Sequence, residues 1–234
     1  MDNRLIRIRE SEKKSHIETY TNEKLYNINS WLQKPVKTVQ DILPLFGDYR
    51  ELRVLDLDCG VGRNSIYIAE KYKNINCVVD CVDLLEIAIE KLKQNARDYN
   101  ISENINGIIQ SIEEYDICSN SYDFIMAISS LEHVDSEESF FKKLVEIKSG
   151  LRENGIVCLI INSDIREINS ETNEALEAQF EVNLPTGKIQ SFLDDAFLGW
   201  SVLKTSVRTQ KYDIPRDSII SHLYTNVVTY VARK

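Results

Sequence analysis

The sequence predicts an α/β fold of the Rossmann-like kind: a mostly parallel sheet of about seven strands, helices on both faces and an antiparallel edge. Three observations carry this. From residue 53 onward, short β-branched runs alternate with stretches of helical period. The first run ends in a glycine-containing loop that leads directly into a helix, Asp56-Leu57-Asp58-Cys59-Gly60-Val61-Gly62-Arg63-Asn64-Ser65. The chain then closes on two strand-like runs with no helix between them, which places a hairpin at the sheet edge.

The elements follow in order. Residues 1–34 are polar and charged, with aromatics at Tyr20, Tyr26 and Trp31, and read as a helical extension able to fold over the domain 35–234. Pro35 can open the next helix, since proline is tolerated in a first turn. Val36, Val39, Ile42, Leu43 and Phe46 then recur at helical spacing, and Gly47 closes the pattern. Strands are expected over 53–58, 76–84, 105–112, 121–130 and 155–162, with helices over 65–73, 86–99 and 139–151. A mixed region at 164–190 precedes a helix at 191–197 and the closing strands at 199–210 and 223–234. Strand and helix alternating at this length imply right-handed parallel crossovers.

Composition narrows the function. The chain has 234 residues, 43% hydrophobic and 28% charged, enough for one domain with a proper core. Its net charge of −9, with no basic stripe, argues against a nucleic-acid partner. No apolar run is long enough to span a bilayer, and the start shows no signal-peptide core, so the expected location is the cytoplasm. The five cysteines contain no Cys-x-x-Cys and the three histidines are scattered, which predicts buried reduced thiols and no metal site. Cys77 and Cys81 would share one face of a strand, a redox pair or simply core.

The glycine loop carries the chemistry. Glycines let backbone amides approach a ligand, and a helix start favours negative charge, so a dinucleotide is one reading. Ser65, however, stands at the third glycine of G-x-G-x-x-G, and Asp56 and Asp58 would repel a pyrophosphate. A ligand with an ammonium group and no phosphate fits better.

The segment 56–62 resembles the first motif of class I S-adenosylmethionine (SAM)-dependent methyltransferases, D-x-G-x-G-x-G. The resemblance extends through most of the chain: Asp83 ends the second strand, Ser111-Ile112-Glu113 follows the third, and Tyr122–Ala127 matches the fourth. Ser129-Ser130-Leu131-Glu132-His133-Val134 stands at the mouth of the site, and Leu151–Ile156 resembles the turn into the fifth strand. It departs at Asp58, which replaces the first motif glycine. The run Gly62-Arg63-Asn64-Ser65-Ile66-Tyr67-Ile68-Ala69 is similar to tellurite-resistance-type enzymes that act on small molecules, as is the style of the tail from Gly199.

The resemblance implies SAM as cofactor, held by Asp56, Asp58, Cys59, Gly60, Gly62, Asn64, Asp83, Leu84, Ser111, Ile112, Glu113 and Ser129. Asp83 would accept hydrogen bonds from the ribose hydroxyls. It further implies in-line methyl transfer to a small-molecule acceptor, driven mainly by orientation. Acceptor-side candidates, chosen by position, are His16, Tyr20, Glu132, His133, Arg166 and Arg216, the two arginines serving an anionic acceptor. Two alternatives stay open: a non-catalytic SAM-binding or partner-binding domain, suggested by Asp58, and an NAD-dependent oxidoreductase.

Overall fold

The computed structural model describes residues 3–28, 30–216 and 219–234. A long helix α1 (Asn3–Asn22) leads the chain, followed by α2 (Lys37–Ile42). The alternating core is β1 (Glu51–Leu57), α3 (Ser65–Lys71), β2 (Asn76–Asp83), α4 (Glu86–Asp98), β3 (Ile105–Ile109), β4 (Tyr122–Ile128), α5 (Glu137–Gly150) and β5 (Leu151–Asn169). A short β6 (Ala175–Leu176), α6 (Thr186–Ala196), β7 (Ser201–Arg216) and β8 (Ile219–Arg233) complete it.

The sheet order is β3-β2-β1-β4-β5-β8-β7, with β6 paired to β5 off this path. The pairs from β3 to β5 are parallel, and β5–β8 and β7–β8 are antiparallel. The chain order reverses between β1 and β4. Such a switch point opens a crevice beyond the carboxyl ends of the strands, which is where ligands bind in open α/β sheets.

Burial explains why the inner strands are apolar along their length. Val54, Leu55 and Leu57 of β1 and Phe124, Ile125 and Met126 of β4 are all fully buried, because helices cover both faces. On one face α5 and α6 contribute Phe140, Leu144, Ile147, Ile189 and Leu193. On the other, α3 and α4 contribute Ile66, Ile68, Ile89 and Leu92, joined by Val39, Ile42 and Phe46. Gly62 sits between these last helices at φ +90°. A Cβ there would lie 2.5 Å from Leu92 Cδ1 and 2.9 Å from Ile66 Cγ1, so the close approach requires glycine.

Three expectations about the elements need correction. The helix read over 35–46 starts at Lys37, and Pro44 converts its end to a 3-10 turn, Leu43–Phe46, since proline removes a helical donor. The mixed region after 163 is in part strand: β5 runs on to Asn169 past an irregularity between Ser163 and Arg166, with Asp164 at φ +48°. The closing hairpin is longer than its apolar pattern suggested, because most of β7 is exposed and its polar residues hide the strand.

Candidate cofactor site

Loop geometry at the end of β1 is set by hydrogen bonds rather than by glycine alone. Asp58 takes φ +64°, a left-handed conformation that suits the glycine of the usual motif and that aspartate tolerates better than most residues. Gly60 follows at φ +54°, and its N–H donates to Asp83 Oδ2 at 2.8 Å. The other Asp83 oxygen accepts from Leu85 N, also at 2.8 Å. The second strand end is thereby tied to the loop of the first.

A cavity of about 130 Å³ opens above this loop. Asp58, Asp83, Leu84, Ser111, Ile112, Glu113, Ser129, His16 and His133, all candidates from the sequence, line it. So do Arg9, Glu12, Lys13 and Glu181, which the sequence did not single out. Among the described residues the buried Ser111 hydroxyl has no hydrogen-bond partner, which leaves a polar atom available to a ligand.

Burial, then the neighbouring Asp83 charge, raises the Asp58 carboxyl well above the usual carboxylate range. A cation entering the cavity beside Asp58 and Asp83 would favour their charged forms.

The remaining motif residues shape the loop from behind. Asp56 is buried and accepts a short hydrogen bond from the Ser65 hydroxyl; it does not line the cavity, contrary to expectation, because it points down under the start of α3. Ser65 therefore replaces the third glycine with a bond to Asp56. Cys59 is buried, and Asn64 Oδ1 accepts from Val36 N at 3.0 Å, so neither faces the cavity. Burial pushes the Asp56 carboxyl up to about 7, against partial compensation from Ser65 and Arg63. The folded chain then binds this proton more tightly than the unfolded chain, where aspartate titrates near about 3.9. Stability is expected to fall as pH rises from about 4 to about 7 and to level off above. Asp56→Asn should flatten that part of the melting temperature against pH, and an identical slope would refute the assignment.

α1 closes the cavity from above. Arg9 pairs with Glu113 at 2.6 Å and approaches Glu181 at 3.5 Å. Arg4 donates to the backbone oxygens of Phe180 and Glu181 at 2.7 and 3.2 Å. His133 Nδ1 lies 3.0 Å from both Glu12 and Glu181, and its ring stacks on Phe180 at 5.0 Å. Burial alone would lower the His133 pKa, but the two carboxylates outweigh it and raise it well above 6.5. Glu12, His133 and Glu181 also bring three ligand atoms within 4.8 Å, a set that could hold a metal ion and that sequence spacing did not suggest. The candidates were split across residues 12, 133 and 181, a separation without signature.

The other acceptor candidates fall elsewhere. Tyr20 is buried against the glycine loop, its hydroxyl 2.9 Å from where a Gly60 Cβ would stand. Glu132 is buried behind the site and accepts from Asn162 N at 3.1 Å. Arg166 lies in the continued part of β5 and lines a separate groove with Asn183 and Tyr224. Arg216 makes a bidentate pair with Glu167, at 2.8 and 3.0 Å, at the far end of the hairpin. Neither arginine lines the cofactor cavity; the guanidinium there is Arg9.

Residues 54–155 match the family model described as a methyltransferase domain. They hold β1 to the start of β5 and the acidic strand ends just described. Over these residues the chain is similar to methyltransferase domains. Over 91 residues it is 33% identical to (S)-tetrahydroprotoberberine N-methyltransferase of Eschscholzia californica, a match covering 39% of this chain and 25% of that protein. The chain thus spans about a quarter of that relative's length. Among solved structures, TehB from Haemophilus influenzae superposes with TM-score 0.59 and 19% identity, covering 83% of this chain and 62% of the other. The 1,6-didemethyltoxoflavin-N1-methyltransferase of Burkholderia thailandensis, solved with 1,6-didemethyltoxoflavin and S-adenosylhomocysteine, gives 0.57 and 16% over 95% of this chain and 87% of its own. Among the described residues, no helix is long and apolar enough to cross a membrane.

Proposed function

We propose that this chain transfers a methyl group from SAM to a small-molecule acceptor. The observation that carries the reading is the meeting of Asp58, Asp83 and the unpartnered Ser111 hydroxyl in one cavity at the switch point of a methyltransferase domain. Asp83 would accept from the ribose hydroxyls, Asp58 would face the ammonium, and Leu84 and Ile112 offer apolar surface to the adenine. SAM supplies an activated methyl carbon: the acceptor lone pair forms the new bond while the carbon–sulfur electrons stay with sulfur. The protein's own part is to orient the partners and exclude water. A proton leaves the acceptor only where the accepting atom carries one.

The cavity of about 130 Å³ is smaller than the roughly 300–1,000 Å³ of small-molecule sites. α1 fills the difference, so the cofactor enters when this helix moves. That makes α1 a lid that closes over the reacting groups. The relatives' names support a small acceptor, and the acidic balance of the chain supports it further.

Calorimetry with SAM and with NAD, followed by a screen of radiolabelled SAM against small molecules, tRNA, DNA and cell protein, tests the reading. Label is expected in small molecules with formation of S-adenosylhomocysteine. Binding without turnover would favour a non-catalytic SAM-binding domain, the reading Asp58 suggests. Label in macromolecules alone would overturn the acceptor class.

A further inference from the structure

A second cavity, of about 460 Å³, lies on the hairpin side of the sheet. It falls within the roughly 300–1,000 Å³ range of small-molecule sites. Strand periodicity builds its wall: Lys204, Ser206, Arg208, Gln210 and Tyr212 alternate along β7 and share one face. α2 and the glycine loop supply the opposite side through Lys37, Asp41 and Arg63. Ile128, Ile160 and Val227 form an apolar floor.

This cavity adjoins the cofactor site. Ser129, at the end of β4, lines both. It holds φ +54°, and its N–H donates to Ile160 O at 2.7 Å, so one residue stands as the partition. A molecule seated here would meet the cofactor across the carboxyl end of β4, at the sheet's switch point.

The charge of the lining opposes that of the chain. Four cationic side chains, Lys37, Arg63, Lys204 and Arg208, surround it against Asp41, in a protein of net charge −9. Asp41 is taken by Lys37 at 2.6 Å. Arg63 donates to Trp31 O at 3.0 Å and lies over the Trp31 ring, while Lys204 donates to the Thr38 hydroxyl at 3.0 Å. These hydrogen-bond partners are neutral; Arg63 also feels the buried Asp56 carboxyl, while Lys204 and Arg208 have no ion pair among the described residues. Uncompensated cations around a concavity focus a positive potential inward, and guanidinium groups hold carboxylate or phosphate in a fixed fork.

We propose that this groove is the acceptor subsite and that it takes a small organic anion. Arg208, Lys204 and Arg63 hold the carboxylate or phosphate, and the apolar floor carries the body of the molecule. The volume and the floor favour an organic acceptor over a bare oxyanion. The assignment rests on the methyltransferase reading for the identity of the neighbouring cavity.

The test uses the full chain with S-adenosylhomocysteine and three probes matched in shape: benzoate, benzamide and benzylamine. Ligand-observed saturation-transfer NMR should give the strongest signal for benzoate and none for benzylamine. In the double variant Lys204→Ala/Arg208→Ala, benzoate should bind about tenfold more weakly, with S-adenosylhomocysteine affinity changed by less than about twofold. Both side chains are solvent-accessible, and a melting curve verifies the variant's fold. Equal signals from all three probes, benzoate binding unchanged in the folded variant, or preference for a short RNA over benzoate would each overturn the proposal. Benzoate binding with no S-adenosylhomocysteine binding would sink the methyltransferase reading instead, leaving an anion site.

Discussion

Replacing Asp83 with alanine is expected to weaken SAM binding by about a hundredfold or more. The carboxylate has two duties. One oxygen accepts from Gly60 N and the other from Leu85 N, each at 2.8 Å, so it fixes the glycine loop as well as facing the cavity. Bonds to a charged acceptor contribute about 1.5–3 kcal/mol each, and about 1.4 kcal/mol is tenfold in affinity. The variant also removes both hydrogen bonds that tie the loop to the second strand end, so the loop should loosen and the melting temperature fall. Asp83→Asn keeps one acceptor oxygen and should lie between the two. Calorimetric affinity unchanged in Asp83→Ala would refute both the ribose assignment and the loop-bracing role.

Arg9→Ala is expected to raise the SAM association rate by about tenfold or more while lowering turnover. Arg9 joins α1 to Glu113 and Glu181, and the Glu181 side chain is only 2% exposed. Losing such a partly buried pair costs about 1.5–3 kcal/mol, which shifts an open–closed equilibrium by about ten- to a hundredfold. On the proposal that α1 is a lid, a larger open population speeds entry. A lid that closes less well excludes water less well, and turnover falls. Stopped-flow fluorescence can report the motion, because Trp31 lies 6.4 Å from Tyr20, the aromatic at the end of α1. An association rate identical to that of the unaltered chain would show that α1 does not gate entry.

The alternation of strands and helices was readable along the chain because burial on both faces makes inner strands uniformly apolar, as in the β4 run Tyr122–Ala127. The cavity floor was readable for a related reason. Asp58, Asp83, Ser111 and Ser129 each fall at or just after a strand end, and parallel topology brings all such ends to one rim. Asp56 and Asn64 lie in the same motif, yet alternation and the helix start turn them inward to brace the loop.

The roof and the second groove had no local signature. Arg9 and Glu12 belong to a polar helix expected to fold over the domain, but no spacing marked these two residues until α1 is laid across Glu113, His133 and Glu181. Arg63, Lys204 and Arg208 are scattered through an acidic sequence and converge only when β7 folds back beside β8. Arg166 and Arg216 looked equally suitable by position, but the extension of β5 carries one to another groove and Glu167 neutralises the other. Strand ends are placed by short-range pattern and a handedness rule, whereas the approach of charged side chains far apart in sequence depends on how whole elements pack.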